Sequence, residues 1–216
     1  AYNDPFNTFE VNAIGTASVL EYLRNVSNSC VAVFITSDKC YDNIEWTYGY
    51  RESDRLGGKD PYSGSKGAAE LVIKSYFESF LSTLAPKIKI GVGRAGNVIG
   101  GGDWAPFRIV PDCARSWSID ENPEIRCPQA TRPWQHVLEP LSGYLLLAQN
   151  IHQKKIKKTS QNWNFAPNIS SCKSVLYLSK YLSKYLQLNI VIKKRDTKKL
   201  FKPSSDVICT VASFNF

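Results

Sequence analysis

Between Asn7 and Arg24 the apolar side chains Phe9, Ala13, Ala17 and Leu20 recur every three or four residues. That spacing predicts a helix with one face turned to a core. Val31-Ala32-Val33-Phe34-Ile35-Thr36 is instead an unbroken β-branched and aromatic run. Continuous rather than alternating hydrophobicity predicts a strand covered on both faces, as in a parallel sheet. Tyr41 to Asp60 is polar, contains Gly57-Gly58 and reads as a long loop, a feature that compact domains usually keep for function. A second helix starts near Pro61, with Ala69, Val72, Tyr76 and Phe80 as its buried stripe, and Ile88 to Gly93 reads as a second strand. Arg94 to Asp112 is a glycine-rich connection. Leu138, Leu141, Leu145 and Ala148 mark a third helix. Val175, Leu178, Leu182 and Leu186 mark a fourth, with Lys180 and Lys184 on its opposite side. Strands alternating with helices in this way predict an α/β fold built on a parallel sheet.

At 216 residues the chain can bury a substantial core, as one large domain or one and a half small ones. No apolar run is long enough to span a bilayer and no secretory leader opens the chain, so the reading is a soluble, cytoplasmic protein with no membrane partner. The sequence contains no methionine, not even at position 1, which leads us to expect an internal piece of a longer protein. The six cysteines are scattered without a Cys-x-x-Cys pair, and only His136 and His152 accompany them. No metal site is expected from that pattern, and reduced cysteines are. The net charge of +8 is unevenly placed: residues 1–150 carry 14 Lys and Arg against 17 Asp and Glu, a net of −3, whereas residues 151–216 carry 13 against 2, a net of +11. A nucleic-acid surface needs such cations interleaved with stacking aromatics on a defined scaffold. Here they are mostly lysines on one helix face and in a polar tail, which reads as a solvated surface and no nucleic-acid site.

Chemistry collects in two short stretches. In Asp60-Pro61-Tyr62-Ser63-Gly64-Ser65-Lys66, Tyr62 and Lys66 lie one helical turn apart and project from the same face. A fixed ammonium nearby favours phenolate and is expected to lower the tyrosine pKa, which suits Tyr62 to take a proton from a sugar hydroxyl. Thr36-Ser37-Asp38-Lys39 follows the first strand, at the carboxyl end where open parallel sheets bind ligands. Ser37 can bond the hydroxyl that Tyr62 deprotonates, Asp38 is a candidate acid, and Lys39 is a second titratable group. Taken singly, these stretches have plain structural readings as well: an exposed pair on an amphipathic helix, and a capped turn ending a strand.

Together with Tyr50-Arg51-Glu52, these motifs resemble the extended short-chain dehydrogenase/reductase family, and in particular its nucleotide-sugar 4,6-dehydratases. Two longer stretches, Arg94 to Trp104 (RAGNVIGGGDW) and Arg132 to Leu141 (RPWQHVLEPL), are similar to the enzymes of that group that act on CDP-glucose. The resemblance covers roughly residues 1–168. It implies a Rossmann-like, doubly wound parallel sheet, partial because its N-terminal strands are missing, with a smaller C-terminal α/β part that binds substrate. The boundaries it implies are 1–95 for the cofactor-domain half with the catalytic residues, 96–192 for the nucleotide-sugar part with some return to the sheet, and 193–216 for a tail that is poorly placed.

The resemblance assigns catalysis to Ser37, Asp38, Lys39, Tyr62 and Lys66. It assigns contacts with NAD to Thr36, Tyr62, Lys66 and Arg94, and contacts with a nucleotide-diphosphate sugar to Asn97, Gly101, Arg108, Arg132 and His136. The residues support a diphosphate and sugar site independently. Gly100-Gly101-Gly102 lets backbone amides approach an anion, Asn97 can both donate and accept, and Arg108 and Arg132 offer forks that match phosphate oxygens. Trp104 and Trp134 can pack on a nucleotide base or fill a core or interface.

The implied reaction is NAD-mediated oxidation at C4 of CDP-glucose, loss of water across C5 and C6, and re-reduction at C6. Lys39 departs from the better-known dTDP-glucose members, which carry a glutamate there as C5 base. It can act as base only if its pKa falls, and can otherwise stabilise an enolate. Phe107 stands where an acidic residue is expected. Asn162 to Pro167 still resembles the family, with Ala166 where a glycine is usual, and Val207 to Phe216 matches no motif. No glycine-rich turn follows a strand, as an NAD pyrophosphate would require, so about 100 residues of the cofactor half are expected to precede this chain. The rivals are a 4-epimerase of the same family, which needs no acid at C6, and a binding module or inactive relative. Relatives pair through two long helices, which makes Asn7–Arg24 and Ser65–Phe80 the expected surface of a homodimer or larger homo-oligomer.

Overall fold

The computed structural model describes residues 1–82, 87–156 and 162–186. The helices are α1 (Pro5–Phe9), α2 (Gly15–Asn25), α3 (Pro61–Tyr76), α4 (Ile109–Trp117), α5 (Leu138–His152) and α6 (Val175–Leu186). The strands are β1 (Cys30–Ile35), β2 (Ile88–Ala95), β3 (Val98–Ile99), β4 (Thr131–Pro133), β5 (Gln135–His136), β6 (Asn162–Phe165) and β7 (Cys172–Ser174).

Asp4 caps α1, its carboxylate accepting from the Asn7 amide at 2.9 Å, with Pro5 at the first helical position. A π turn, Glu10–Ile14, joins α1 to α2. An extra residue in one turn rotates everything beyond it by roughly 100°. The expected stripe therefore survives at Ala13 and Leu20 but not at Phe9, which stays 40% exposed, and Leu23 joins the core. The same device ends α3, where the π turn Phe77–Leu81 buries Leu81 and leaves Phe80 outside.

β1, β2 and β6 form a parallel sheet in the order β1-β2-β6, with Val33 opposite Gly91 and Arg94 opposite Asn164. Side chains alternate across it as a strand requires. Cys30, Ala32 and Phe34 join Leu20, Leu23, Ile73, Leu81, Ile88, Ile90 and Val92 beneath α2 and α3. Val31 and Val33 face the other way, onto Leu147, Ile151 and Phe165 beneath α5. Both faces are covered, which makes the sheet doubly wound. The smaller part holds β3 parallel to β5, β4 antiparallel to β7, and α4 packed on α6. The outer face of α6 stacks Tyr177, Tyr181 and Tyr185, with ring centroids 6.4 and 4.5 Å apart.

Two expectations change. In α5, Leu138, Leu141 and Leu145 face solvent, and the buried stripe is Pro140, Leu147, Asn150 and Ile151. The cause lies in two glycines, one on β2 and one on α5 itself. A side chain at Gly91 would strike Ile151 at 2.7 Å, and one at Gly143 would strike the Phe165 ring at 2.2 Å. These glycines seat that helix face against the sheet. The glycine-rich connection begins only after Ala95, because Arg94 is a β2 residue, and it gives way to α4 at Ile109. β6, from the part expected to hold substrate with some return to the sheet, pairs with β2 of the main sheet. The tail 193–216 lies outside the described residues. Among the described residues, no helix is long and apolar enough to cross a membrane.

Candidate active site

Where β1 ends, Ser37 caps a short 3-10 turn, Asp38–Cys40: its Oγ accepts from the Lys39 amide at 3.2 Å and its carbonyl from the Cys40 amide at 3.1 Å. The Ser37 hydroxyl donates to Asp38 Oδ1 at 3.0 Å, and both residues are buried. Facing this turn is the start of α3. The Asp60 carboxylate accepts from the Tyr62 and Ser63 amides at 2.9 and 3.1 Å and from the Ser63 hydroxyl at 2.6 Å. This cap, with Pro61 behind it, fixes the helical turn that carries Tyr62. The two pieces meet closely. A Cβ on Gly67 would lie 2.8 Å from the Gly57 carbonyl oxygen and 3.4 Å from that of Cys40.

Tyr62 and Ser37 line the same cavity, near enough for the Ser37 hydroxyl to favour the phenolate. The Lys66 ammonium lies 5.9 Å from the Tyr62 ring centre, on the same helix face. The expected lowering of the Tyr62 pKa is not what this geometry produces. Burial holds the phenol above its ordinary value, while Ser37 and the charge of Arg108 pull the other way. Burial also depresses the Lys66 ammonium. Asp38 is raised, again by burial first, with Lys39, Ser37 and Arg132 opposing. A carboxyl so placed holds its proton more firmly than an exposed one does.

Beyond the turn lies a cavity of about 680 Å³, lined by Ser37, Asp38, Lys39, Tyr62, Asn97, Arg108 and Arg132. Gly100 and Gly102 also line it, Gly102 in the left-handed region at φ +77. Gly101 stands outside the wall with nothing within 4 Å of where a side chain would begin. Lys66 sits behind Tyr62 rather than in the wall. Arg108 donates to Asp103 at 2.8 Å, and Trp134 donates from its indole to the Lys173 carbonyl at 2.9 Å. Phe107 adopts φ +66 and stands, largely exposed, in the cavity wall, with the Arg126 guanidinium 5.1 Å over its ring.

Two assignments are corrected. Arg94 is 1% exposed and bound to Glu70, Tyr41 and the Glu52 carbonyl, so it is a structural cation and not a cofactor contact. The Thr36 hydroxyl donates to the same Glu70 carboxylate at 2.5 Å rather than facing a ligand. His136 lies outside the cavity wall and accepts the Leu138 amide on Nδ1 at 3.2 Å, so its ring is engaged at the start of α5. The sequence reading missed Glu124, Arg126 and Cys127, which share the cavity wall. They lie in a polar stretch with no periodicity and no motif, so only the fold reveals them. Among the described residues no group of His, Cys, Asp or Glu is arranged to hold a metal ion, and no glycine-rich turn leads directly from a strand into a helix.

The family profile described as GDP-mannose 4,6 dehydratase matches residues 1–170. CDP-glucose 4,6-dehydratase of Salmonella typhimurium is 48% identical over 182 residues, covering 82% of this chain and 50% of the relative. Among solved structures, a UDP-N-acetylglucosamine 4-epimerase from Methanobrevibacter ruminantium superposes with a TM-score of 0.71 at 20% identity, over 94% of this chain and 60% of that one. A dTDP-glucose 4,6-dehydratase from Bacillus anthracis, in complex with NAD, gives 0.67 at 19% identity, over 87% and 57%. At those identities the structural likeness speaks for the fold alone. The chain spans about half the length of the curated relative it matches.

Proposed function

The chain belongs to the GDP-mannose 4,6-dehydratase family, and we propose that it carries the sugar-handling chemistry of a nucleotide-sugar 4,6-dehydratase acting on CDP-glucose. The observation that carries this reading is the juxtaposition of Ser37, buried Asp38 and Tyr62 at one end of the large cavity. Support for the substrate comes from the 48% identity to the Salmonella typhimurium CDP-glucose enzyme.

In this reading Tyr62, beside Ser37 in the cavity wall, takes the proton of the C4 hydroxyl. Asp38, whose hold on a proton burial strengthens, gives its proton to the C6 hydroxyl, which leaves as water. The C5 proton goes to a base, for which Lys39 in the cavity wall is the candidate. Arg108 and Arg132 take the diphosphate oxygens. NAD, when bound, supplies the acceptance and return of a hydride. Tyr62 and Lys66 fit its reactive end, whereas the described residues offer no cradle for its pyrophosphate. An acid at C6 has no use in a 4-epimerase, so buried Asp38 favours the dehydratase.

The reading also implies a reducing compartment, in keeping with the five cysteines outside any disulfide among the described residues. It pairs two copies through Val11, Ile14 and Leu71, exposed on the crossing helices.

Calorimetric titration tests the substrate. CDP-glucose is expected to bind the chain more tightly than UDP-glucose or glucose 1-phosphate, and Arg132→Ala to weaken it. No heat with CDP-glucose, or equal affinity for the three, overturns the assignment. With NAD added, a sugar product absorbing in base identifies a ketosugar. Without the missing cradle, NAD itself is expected to bind weakly, and micromolar affinity contradicts that.

A further inference from the structure

Arg94 and Glu70 form an ion pair in which each side chain is 1% exposed. Two parallel bonds join them, Nε to Oε1 and Nη2 to Oε2, each 2.8 Å. Taking two charges out of water is expensive, and an apolar pair of similar volume often holds a core as well or better. Stability alone therefore gives a poor reason for the pair. Its remaining bonds supply another.

On one side, the Thr36 hydroxyl donates to Glu70 Oε1 at 2.5 Å. Thr36 is the residue before Ser37. On the other side, Arg94 Nη1 donates to the Tyr41 hydroxyl at 2.8 Å, with the guanidinium 4.9 Å over the Tyr41 ring. Tyr41 is the residue after the turn, and it passes its own proton to Asn164 Oδ1 on β6 at 2.7 Å. Both flanks of the turn that carries Ser37, Asp38 and Lys39 thus end on one ion pair. Glu70 lies four residues beyond Lys66 and eight beyond Tyr62, on the same side of α3. Arg94 lies on β2, the neighbour of the strand that leads into the turn.

We infer that Arg94 and Glu70 are positioning residues, which fix the Ser37–Lys39 turn at both ends against the helix face bearing Tyr62 and Lys66. The inference rests on the proposed reading of that turn as the reacting end of a nucleotide-sugar site. Neither residue touches the large cavity. Each acts through the residues it holds. The pair needs the fork of an arginine, because three separate acceptors surround the guanidinium and a lysine ammonium cannot reach them in the same plane.

The test is hydrogen exchange at the Lys39, Cys40 and Tyr41 amides, all of which close the turn, compared with interior amides of α5. In the double variant Glu70→Gln/Arg94→Met the melting temperature is expected to stay within about 5 °C of the parent. The turn amides are expected to exchange at least about ten-fold faster, while those of α5 are unchanged. Affinity for CDP-glucose is expected to fall about ten-fold. Arg94→Lys is not expected to restore either. Turn protection and affinity both unchanged in the folded double variant overturn the inference. So does a uniform loss of protection across the chain, which marks a merely structural pair. Should the double variant not fold, Tyr41→Phe and Thr36→Val, which each free one flank and leave the pair intact, decide on the same readouts with effects of about three-fold. If the parent chain fails to bind CDP-glucose, the proposed function falls, and the exchange ratio still decides the positioning role.

Discussion

Gly67→Ala and Gly15→Ala place the same methyl group on two helices and are expected to move stability in opposite directions. In an open helix position alanine is favoured over glycine by about 1 kcal/mol. At Gly15 the new Cβ meets only the Glu10 carbonyl oxygen, at 3.8 Å, an ordinary contact, so the whole gain is kept. At Gly67 the Cβ would sit 2.8 Å from the Gly57 oxygen and 3.4 Å from the Cys40 oxygen. Both obstacles are backbone, and Gly67 is buried. Either α3 withdraws or the Cys40–Gly57 strap does, and the strap is itself tied by the Gly57 amide to the Cys40 carbonyl at 2.9 Å.

Overpacking of this kind costs about 1–3 kcal/mol. The propensity gain is common to both variants, so the gap between them is the clash itself. For a chain of this size about 1–3 kcal/mol corresponds to roughly 2–12 °C between the two melting temperatures. Withdrawal of α3 also carries Tyr62 and Lys66 away from Ser37, so Gly67→Ala is expected to weaken nucleotide-sugar binding while Gly15→Ala leaves it unchanged. Differential scanning calorimetry and titration read the two effects. A Gly67→Ala chain that melts as high as the Gly15→Ala chain would show that the helix does not press on the strap, and the close seating of the Lys66 turn would go with it.

Asp60→Ala removes three accepted bonds at the start of α3 and is expected to cost about 1 kcal/mol, most of it recovered by Asp60→Ser, in denaturant titration. Asp38 has its pKa raised in the folded chain by burial, so between the unfolded carboxyl value of about 3.9 and that raised value the folded state binds more protons and loses stability as pH rises. The melting temperature of Asp38→Asn minus that of the parent should therefore grow from about pH 4 toward neutrality and then level off; a gap that stays flat or shrinks contradicts burial as the cause. On α5, Leu147→Ala is expected to cost about 2–5 kcal/mol and Leu145→Ala less than about 0.5 kcal/mol, because Leu147 is 3% exposed and Leu145 74%.

The order of elements could be read from the chain because each has a period of its own: a continuous run for β1, a three-to-four repeat for the helices. Which face of a helix is buried could not always be read. α5 carries leucines on nearly every side, so its pattern allows two stripes. The choice is made by missing side chains elsewhere, at Gly91 and Gly93 of β2. A one-dimensional pattern has no access to that. The π turns are hidden for a related reason, since a phase shift of one residue leaves the composition of the stripe unchanged.

At the site, the legible residues were those whose chemistry sits in a short motif: Ser37, Asp38 and Lys39 at the end of a strand, Tyr62 in a capped first turn. Arg94 was misassigned because a cation beside a glycine-rich stretch resembles a phosphate ligand. Its partner carried a signal that could have corrected the reading. Glu70 lies on the face of α3 that also buries Ala69 and Ile73, and a carboxylate on an apolar face must find a cation. The structure supplies that cation by running β2 on to Ala95, which brings Arg94 out of the expected connection and into the sheet. A charge that interrupts a buried strand and another that interrupts a buried helix face identify each other by exclusion, since neither can be left unpaired. With Lys89 in the same strand and Arg94 expected beyond it, the pairing becomes legible only once β2 is seen to reach Ala95. The pair also explains why the fork of Arg94 has no freedom left for a phosphate.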